Sequence, residues 1–398
     1  MGSKTNRLYF IDAIRAWAIL MMLQGHFIDG LLDNTFRDSS NFLYTLWSYF
    51  RGITAPIFFT ASGFIFTYLL IKTDATNSAN PRVKKGIKRG FQLILIGYLL
   101  RMNLLGVLTG EIYPSFYIVD VLHCIGFSIL GIIGIYQISK QKSNYLFPSI
   151  LVGITIILFL FEPIYISFDY TILPNFIANY FTKANGSIFT ILPWFGYATF
   201  GGFIALLFTK YKNHKNLYPT AITLSLFIGL GLMFLSSPFF VTLSYITGIS
   251  LFIEIFYNNY LFIRLGDVLV AFGFFMLLRR YMNNNTFLII GQSTLSIYII
   301  HFMILYGSFT GLGLYSHFHH SLSPYVVVFG AILFMLTTTF LALKYEKNKN
   351  IIFKHISISY RWTRITLNPW TTFAYSLLKM YLIKSRLFLL KLFRLVKN

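Results

Sequence analysis

The feature that most constrains this chain is a series of apolar runs, each about 20 residues long, between residues 8 and 343. A helix of that length spans the hydrocarbon core of a bilayer, and the short connections leave no room for a large soluble domain. Only 11% of the residues are charged, against roughly 25% in soluble domains. The sequence therefore predicts an all-α, polytopic transmembrane helical bundle with about ten spans. The predicted spans are 8–28, 53–71, 90–108, 117–136, 146–166, 187–208, 218–236, 264–279, 287–307 and 325–343.

Lysine and arginine residues collect at every second connection between these spans. They stand at Lys4 and Arg7, within 72–89, at Lys140 and Lys142, within 210–215, at Arg279 and Arg280, and in the tail. Because cytoplasmic loops are enriched in positive charge, we expect both termini to be cytoplasmic. The same rule accounts for the net charge of +21. A lipid bilayer is therefore the expected partner, and nucleic acid is not.

Two segments need separate interpretation. Residues 239–262 are apolar, but a further crossing there would move Arg279, Arg280 and the tail to the outside. We predict a re-entrant or outer-surface segment instead. The first apolar run contains Asp12 and Arg15 and has no small-residue cleavage site behind it. It is interpreted as a retained helix and not as a signal peptide.

The chain is predicted to divide into a transmembrane domain, 1–345, and a basic cytoplasmic or interfacial tail, 346–398. Basic residues of the tail fall within about half a turn at 3.6 residues per turn, and leucines and phenylalanines fill the rest. These basic residues are Lys379, Lys384, Arg386, Lys391, Arg394 and Lys397. The pattern predicts a C-terminal basic amphipathic helix lying on anionic headgroups.

Ionisable residues inside spans are candidates for chemistry, because insertion costs about 2.5–3.5 kcal/mol each. Asp12, Arg15 and His26 share one face of the first helix, since spacings of three and eleven residues return to nearly the same direction. Arg15 and His26 nevertheless lie about 16 Å apart along the axis. The alternatives are a local ion pair at the inner interface for Asp12 and Arg15, and a polar boundary residue for His26.

Asp12 is also a candidate substrate-binding group, together with four further ionisable residues: Arg101, Asp120, His123 and His301. The alternative for each of these four is helix–helix hydrogen bonding. The histidines at 317, 319 and 320 lie in a short loop without paired carboxylates, so we expect no metal site there.

Several enzyme signatures are absent from the sequence, namely HExxH, GxxxxGK[ST] and GxSxG. Metalloprotease, nucleotide hydrolase and serine hydrolase functions are therefore not favoured. A transporter or flippase is an alternative, but the sequence shows no inverted repeat and its polar groups concentrate in the first helix. A non-enzymatic scaffold would leave Asp12, Arg15 and Asp120 unexplained.

Five segments together resemble a known superfamily. RLYFIDAIRAWAILMMLQGHFID at 7–29 is similar to the first helix of the membrane acyltransferase superfamily, which includes acyltransferase family three and the heparan-α-glucosaminide N-acetyltransferase family. RGITAPIFFTASGFIF, DVLHCIGFSIL, LPWFGYATFGGF and IGQSTLSIYIIH follow in the family order. The spacing of Arg15 and His26 matches acyltransferase family three.

The sequence departs from the heparan-type pattern at three places. Ala16 stands where that family has Gly, and His123-Cys124 stand where it usually has Gln-Arg. Residues 29–52 contain no His, although the family's catalytic His lies in the loop before the second helix. His26 occupies the acyltransferase-three position instead.

The resemblance implies transfer of an acyl group, commonly acetyl from cytoplasmic acetyl-CoA, to a sugar or glycolipid acceptor on the other face. Arg15 and the basic segment 82–89 can supply cations for the CoA phosphates. His26 can act as general base near neutral pH, or become transiently acylated. We expect an integral protein of the bacterial inner membrane that uses acetyl-CoA and no metal.

Overall fold

The computed structural model describes residues 8–72, 80–140, 142–143, 145–282 and 284–392. The regular structure in these ranges is helical, with no strand among them. The helices are α1 (Tyr9–Leu31), α2 (Phe42–Lys72), α3 (Pro81–Arg101), α4 (Leu104–Thr109), α5 (Val121–Ser139), α6 (Leu146–Leu160), α7 (Glu162–Ile166), α8 (Asn175–Ala178), α9 (Ile191–Lys210), α10 (Leu217–Thr247), α11 (Ser250–Tyr257), α12 (Tyr260–Leu277), α13 (Asn285–Gln292), α14 (Thr294–Tyr306), α15 (Leu314–Phe318) and α16 (Pro324–Leu392).

Seven helical segments of the described chain are long and apolar enough to cross a membrane. They are Tyr9–Leu31, Phe42–Lys72, Pro114–Ser139, Ile191–Lys210, Leu217–Thr247, Tyr260–Arg280 and Pro324–Ser359. The pair α13 and α14, bent by 70° where they meet, would make an eighth. These segments confirm the predicted all-α membrane protein. The figure of about ten spans stays a prediction.

Two predicted spans, 90–108 and 146–166, are not among these segments. The first coincides with the end of α3, which stops at Arg101 and is basic in its first half. The second is divided at Phe161, which leaves α6 only 15 residues long. In both places the apolar run continues through a break in the helix. Hydropathy alone does not detect such a break.

The ambiguous segment 239–262 belongs to three helices. Its first residues extend α10 to Thr247, its middle forms the eight-residue α11, and its end begins α12. Gly248 ends α10 in a left-handed conformation, with φ of 68°. No helix of membrane-spanning length lies within 239–262 itself. Whether it re-enters the membrane stays a prediction.

The chain divides into two compact units, Met1–Leu343 and Lys344–Asn398. The second unit is helical as far as Leu392, so the predicted C-terminal helix is present there. Lys379 and Lys384 are exposed in it, as is Phe373. The side chains of Arg386 and Lys391, and the whole of Arg394, Lys397, Lys4 and Arg7, lie outside the described residues.

The core of the first unit brings helix backbones into close contact through small residues. A Cβ on Gly63 of α2 would lie 1.9 Å from the carbonyl oxygen of Ala198 in α9. A Cβ on Gly201 would lie equally close to the carbonyl oxygen of Thr60. Such glycine contacts are a common way of packing helices in membranes, where dispersion forces depend on close approach. They hold α9 closely against α2.

Candidate functional site

The break between α13 and α14 lies beside the beginning of α1. A Cβ on Gly291 of α13 would stand 1.9 Å from the carbonyl oxygen of Asp12, so only glycine fits without displacing a helix. This contact brings the end of α13 and the first residue of α14 to Asp12 and Arg15. Gln292 donates to Asp12 Oδ2 at 3.5 Å, and Arg15 donates to Thr294 Oγ1 at 3.0 Å.

Asp12 and Arg15 form the ion pair that was one alternative for these residues. The Arg15 Nη1 atom lies 3.8 Å from Asp12 Oδ1, and Asp12 is buried. Arg15 is only partly buried, and its side chain also lines a cavity. The ion pair therefore leaves part of the Arg15 side chain exposed to the cavity. Asp12 and Thr294 hold a guanidinium whose remaining N–H groups can reach a ligand.

The cavity lies among α1, α2, α3, α5 and α14 and has a volume of about 310 Å³. Four cations line it: Arg15, Arg82, Lys85 and Arg89. The three on α3 recur at spacings of three and four residues, which places them on one helix face. No carboxylate is among the described residues of its wall. Most of the remaining wall is apolar, including Phe58, Ile65, Phe66, Leu93, Ile125 and Ile129.

The arrangement fits a ligand with an anionic group and a long, mainly apolar arm. Arginine binds phosphate through parallel N–H donors, and lysine adds a point charge. The first turn of α14 also reaches the cavity, at Thr294 and Leu295. The Ser293 side chain makes no capping hydrogen bond to that turn. The positive end of the α14 dipole thus adds to the field of the four cations.

A second group of polar side chains lies further along α1 and α14. His26 Nδ1 is 3.1 Å from the hydroxyl oxygen of Tyr306. The rings of His26 and His301 are 5.3 Å apart between centroids and nearly perpendicular. His301 is fully buried, whereas His26 is only partly buried. The structure thus brings together two of the predicted site residues and adds a tyrosine.

Arg101, Asp120 and His123 form a third group, where α3 ends and α5 begins. Arg101 Nε lies 3.2 Å from Asp120 Oδ2, and His123 Nδ1 lies 3.1 Å from Asp120 Oδ1. Asp120 also caps α5 by accepting from the backbone N–H of Leu122. These contacts match the helix–helix alternative for the three residues. Arg101 also lies over the ring of Phe302, the residue that follows His301 on α14.

One face of α14 runs from the cavity to the histidines and shows the order in which the polar groups follow one another. Thr294, Tyr298 and His301 follow at spacings of four and three residues, so they share one face. Tyr298 is the last of them to line the cavity. His301 is next, and Tyr306 with His26 comes after it. The predicted site residues are therefore arranged from Arg15 in the cavity wall to His26 at the far end.

Several site residues were not predicted from the sequence. Thr294 and Gln292 stand beside the helix break, and their polar character in an apolar run was the available signal. Tyr306 carried no signal, because tyrosine is common in this chain. A further polar network also lay outside the prediction: Tyr49 and Arg264 both donate to the buried Asp267, at 2.5 and 2.9 Å. It joins α2 to α12.

The histidines at 317, 319 and 320 lie in the last turn of α15 and directly after it. The rings of His319 and His320 stack with centroids 3.8 Å apart. Among the described residues, no group of three or more His, Cys, Asp or Glu side chains could hold a metal ion.

The fold and the site together define a class: a polytopic helical membrane protein with a cationic cavity and a pair of histidines further along the same two helices. The sequence model described as heparan-alpha-glucosaminide N-acetyltransferase, catalytic, matches residues 7–237. That range is more than half of the 398 residues. The chain therefore belongs to this family of membrane acetyltransferases, which confirms the predicted resemblance. No curated protein and no solved structure matches the chain. The matched range includes Arg15 and His26 and ends before α14.

Proposed function

We propose that this protein transfers an acetyl group from acetyl-CoA, bound at the cationic cavity, to a sugar hydroxyl or amine near His26. The observation that carries the proposal is the cavity itself. Its four cations suit the phosphates of CoA, and its apolar wall can pack against the methylene and dimethyl groups of the pantetheine arm. The site requires no metal for this reaction, because thioesters are already activated acyl donors.

The distance between the two ends of the site supports a donor with a long arm. Arg15 and His26 are eleven residues apart on α1, which corresponds to about 16 Å along the axis. A ligand held only by its phosphates at Arg15 must extend by this distance to react at His26. Coenzyme A has this form, since its thioester stands far from its phosphates. A compact anionic substrate would not span the site.

His26 is the proposed reacting residue, with two roles open. As a general base it would take the proton of the acceptor hydroxyl or amine. As a nucleophile it would carry the acetyl group transiently. The hydrogen bond between His26 Nδ1 and Tyr306 supports either role, because it orients the imidazole. It leaves Nε2 as the nitrogen available for the reaction.

The outer surroundings of His26 support a polar acceptor. One turn beyond it, Asp29 pairs with Arg51 at 2.8 Å. The ring of Trp47 lies beside the same arginine, with its centroid 5.6 Å from the guanidinium carbon. Aromatic rings beside charged groups are suited to glycan recognition, where sugar faces stack and hydroxyls bond. We therefore propose a glycan or glycolipid acceptor, with Arg101, Asp120, His123 and His301 near its path.

The proposed orientation places Arg15 and segment 82–89 on the cytoplasmic side, where acetyl-CoA is found. This agrees with the enrichment of positive charge in cytoplasmic connections and with cytoplasmic termini. The acceptor would then arrive from the opposite side of the bacterial inner membrane. In this arrangement residues 346–398 would lie on the cytoplasmic membrane surface, where their charge meets anionic lipid.

The test is acetyl transfer by purified protein in proteoliposomes. Radiolabelled acetyl-CoA would be added on one side and a panel of glucosaminides, hexoses and glycolipids on the other. We expect labelled acceptor to appear for at least one sugar class. Free label that accumulates unmodified across the membrane would indicate a transporter. Absence of labelled acceptor with every class would contradict the proposal.

The His26→Gln variant tests the reacting residue. Gln keeps the size and hydrogen bonding of the side chain but cannot transfer a proton. Since general base catalysis contributes about 10²–10⁴-fold, we expect turnover to fall by at least about a hundredfold. His214→Gln is the control, because His214 is exposed and is not among the residues that line the cavity. Near-normal transfer by well-folded His26→Gln protein would remove His26 from the mechanism.

A further inference from the structure

His301 is held in one tautomer by its own helix. Its Nδ1 lies 2.5 Å from the carbonyl oxygen of Tyr298. A carbonyl oxygen only accepts, so Nδ1 carries the proton in the neutral imidazole. The lone pair is then on Nε2. This nitrogen is buried and has no hydrogen-bond partner in the described part of the chain.

An unpartnered acceptor in a fully buried position is unusual, because buried polar atoms are nearly always hydrogen-bonded. His301 is moreover in edge-to-face contact with His26, at a centroid distance of 5.3 Å. Its position on α14 follows that of Tyr298, the last residue of that face to line the cavity. His301 therefore lies one helical turn beyond the cavity wall and in ring contact with His26, and its Nε2 has no hydrogen-bond partner among the described residues.

The proposed reaction requires a proton to move from the acceptor to the sulfur of CoA. When the acceptor attacks the thioester, a C–O or C–N bond forms and the C–S bond breaks. The acceptor's proton goes to His26, and the sulfur leaves as a thiolate on the cavity side. Neutral products require that this proton reach the sulfur. The attacking atom and the sulfur are bonded to the same carbon in the tetrahedral intermediate, so a second imidazole in ring contact with His26 can take this proton and give it to the sulfur.

We propose that His301 is the proton relay of this reaction, with Nε2 taking the proton from His26 and giving it to the departing thiolate. This inference rests on the proposed function with His26 as the base. After one cycle His301 is again neutral and the proton count is balanced. His301 acts through His26 on the acceptor side, and Tyr298 keeps its tautomer fixed.

Two substitutions separate the relay from structural roles. His301→Asn retains an N–H donor near the position of Nδ1, so it can keep the bond to Tyr298 but has no Nε2. His301→Gln retains the length of the side chain. Neither amide accepts a proton near neutral pH. If His301 only anchors α14, Asn should restore activity, and if it only fills space, Gln should.

The measurement is the kcat and the KM for acetyl-CoA, with CoA-thiol release and labelled acceptor followed separately in proteoliposomes. We expect kcat to fall about a hundredfold in both variants, as for loss of a proton-transfer group. The KM should change by less than about threefold, since the cations of the cavity are untouched. Thermal stabilisation by CoA alone should match that of the wild type and shows that the cavity is intact.

Three outcomes overturn the relay. Near-normal kcat in either variant assigns His301 to anchoring or packing. A large rise in KM with loss of stabilisation by CoA makes it part of the cavity wall. Covalent acetyl-His26 that accumulates in the wild type excludes the direct route. Absence of transfer by the wild type is distinguishable from all three, because it contradicts the proposed function itself.

Discussion

Asp120 is a buried carboxylate whose negative charge is stabilised by its neighbours in the bundle. It is 2% exposed, and two groups donate to its carboxylate: Arg101 and the backbone N–H of Leu122. His123 Nδ1 accepts from the Asp120 backbone N–H, which completes the capping box. Burial of a charge is costly, so the loss of its main counter-ion leaves a penalty that the remaining hydrogen bonds only partly offset. Stability at this point therefore depends on the pair and not on either residue alone.

We expect Arg101→Met to destabilise the protein by about 3–5 kcal/mol, the usual effect of leaving one partner of a buried ion pair. Asp120→Asn should cost less, because asparagine is also a good helix cap. The double variant should regain most of the loss. Thermal unfolding of the four proteins in one detergent gives the comparison. If the two single effects simply add, the pair is not energetically coupled.

Arg15 is the second residue whose role can be measured directly. Charge-assisted hydrogen bonds contribute about 1.5–3 kcal/mol, so Arg15→Ala should raise the apparent KM for acetyl-CoA about tenfold or more. Arg15→Lys should have a smaller effect, since the charge remains. Arg279→Ala is the control, because Arg279 donates to the Met276 carbonyl and does not line the cavity. An unchanged KM in Arg15→Ala would restrict Arg15 to its ion pair with Asp12.

At the scale of elements, the contact between α1 and α13 positions the cavity end of the site. We expect Gly291→Ala to displace α13, because its Cβ would stand 1.9 Å from the carbonyl oxygen of Asp12. Both the melting temperature and the affinity for CoA should fall. Gly134→Ala is the matched control, since no atom lies within 4 Å of the added Cβ and alanine favours helix. Equal behaviour of the two variants would contradict the contact.

Helix existence was predictable from the sequence, whereas helix breaks were not. The first span, predicted at 8–28, is α1 at Tyr9–Leu31, because its apolar run is long and isolated. The span predicted at 287–307 is bent at Ser293, which lies inside a run that hydropathy reads as continuous. The bend accompanies a tertiary contact at Gly291 that no local pattern reports.

The residue types of the candidate site were predictable from the sequence, but the contacts between them were not. Arg15 and segment 82–89 were placed together because phosphates require cations, and the structure brings both to one cavity. His26 and His301 were separate candidates, since nothing in their local sequences indicates contact. Tyr306 was missed for the same reason. Chemistry can be read from residue types, but contact between α1 and α14 depends on the packing of the whole bundle.

At the scale of the whole molecule, the alternation of basic connections predicts which ends share a side of the membrane. Reporter fusions at Asn398 and within residues 167–185 should report opposite sides, the first cytoplasmic and the second external. A fusion at residues 210–215 is the internal control and should agree with Asn398. Equal signals from Asn398 and 167–185 would mean that the span count between them has the wrong parity.

The cations of the cavity have a consequence for turnover. The phosphates that they would hold are identical in acetyl-CoA and in free CoA, so this part of the binding energy is the same before and after the reaction. Such contacts raise the affinity for free CoA, the product, as much as the affinity for acetyl-CoA, the substrate. Free CoA should therefore be a strong product inhibitor that competes with acetyl-CoA. Under the proposed function the free CoA must dissociate from the same cationic cavity, so we expect its dissociation to limit the steady-state rate once acceptor is abundant.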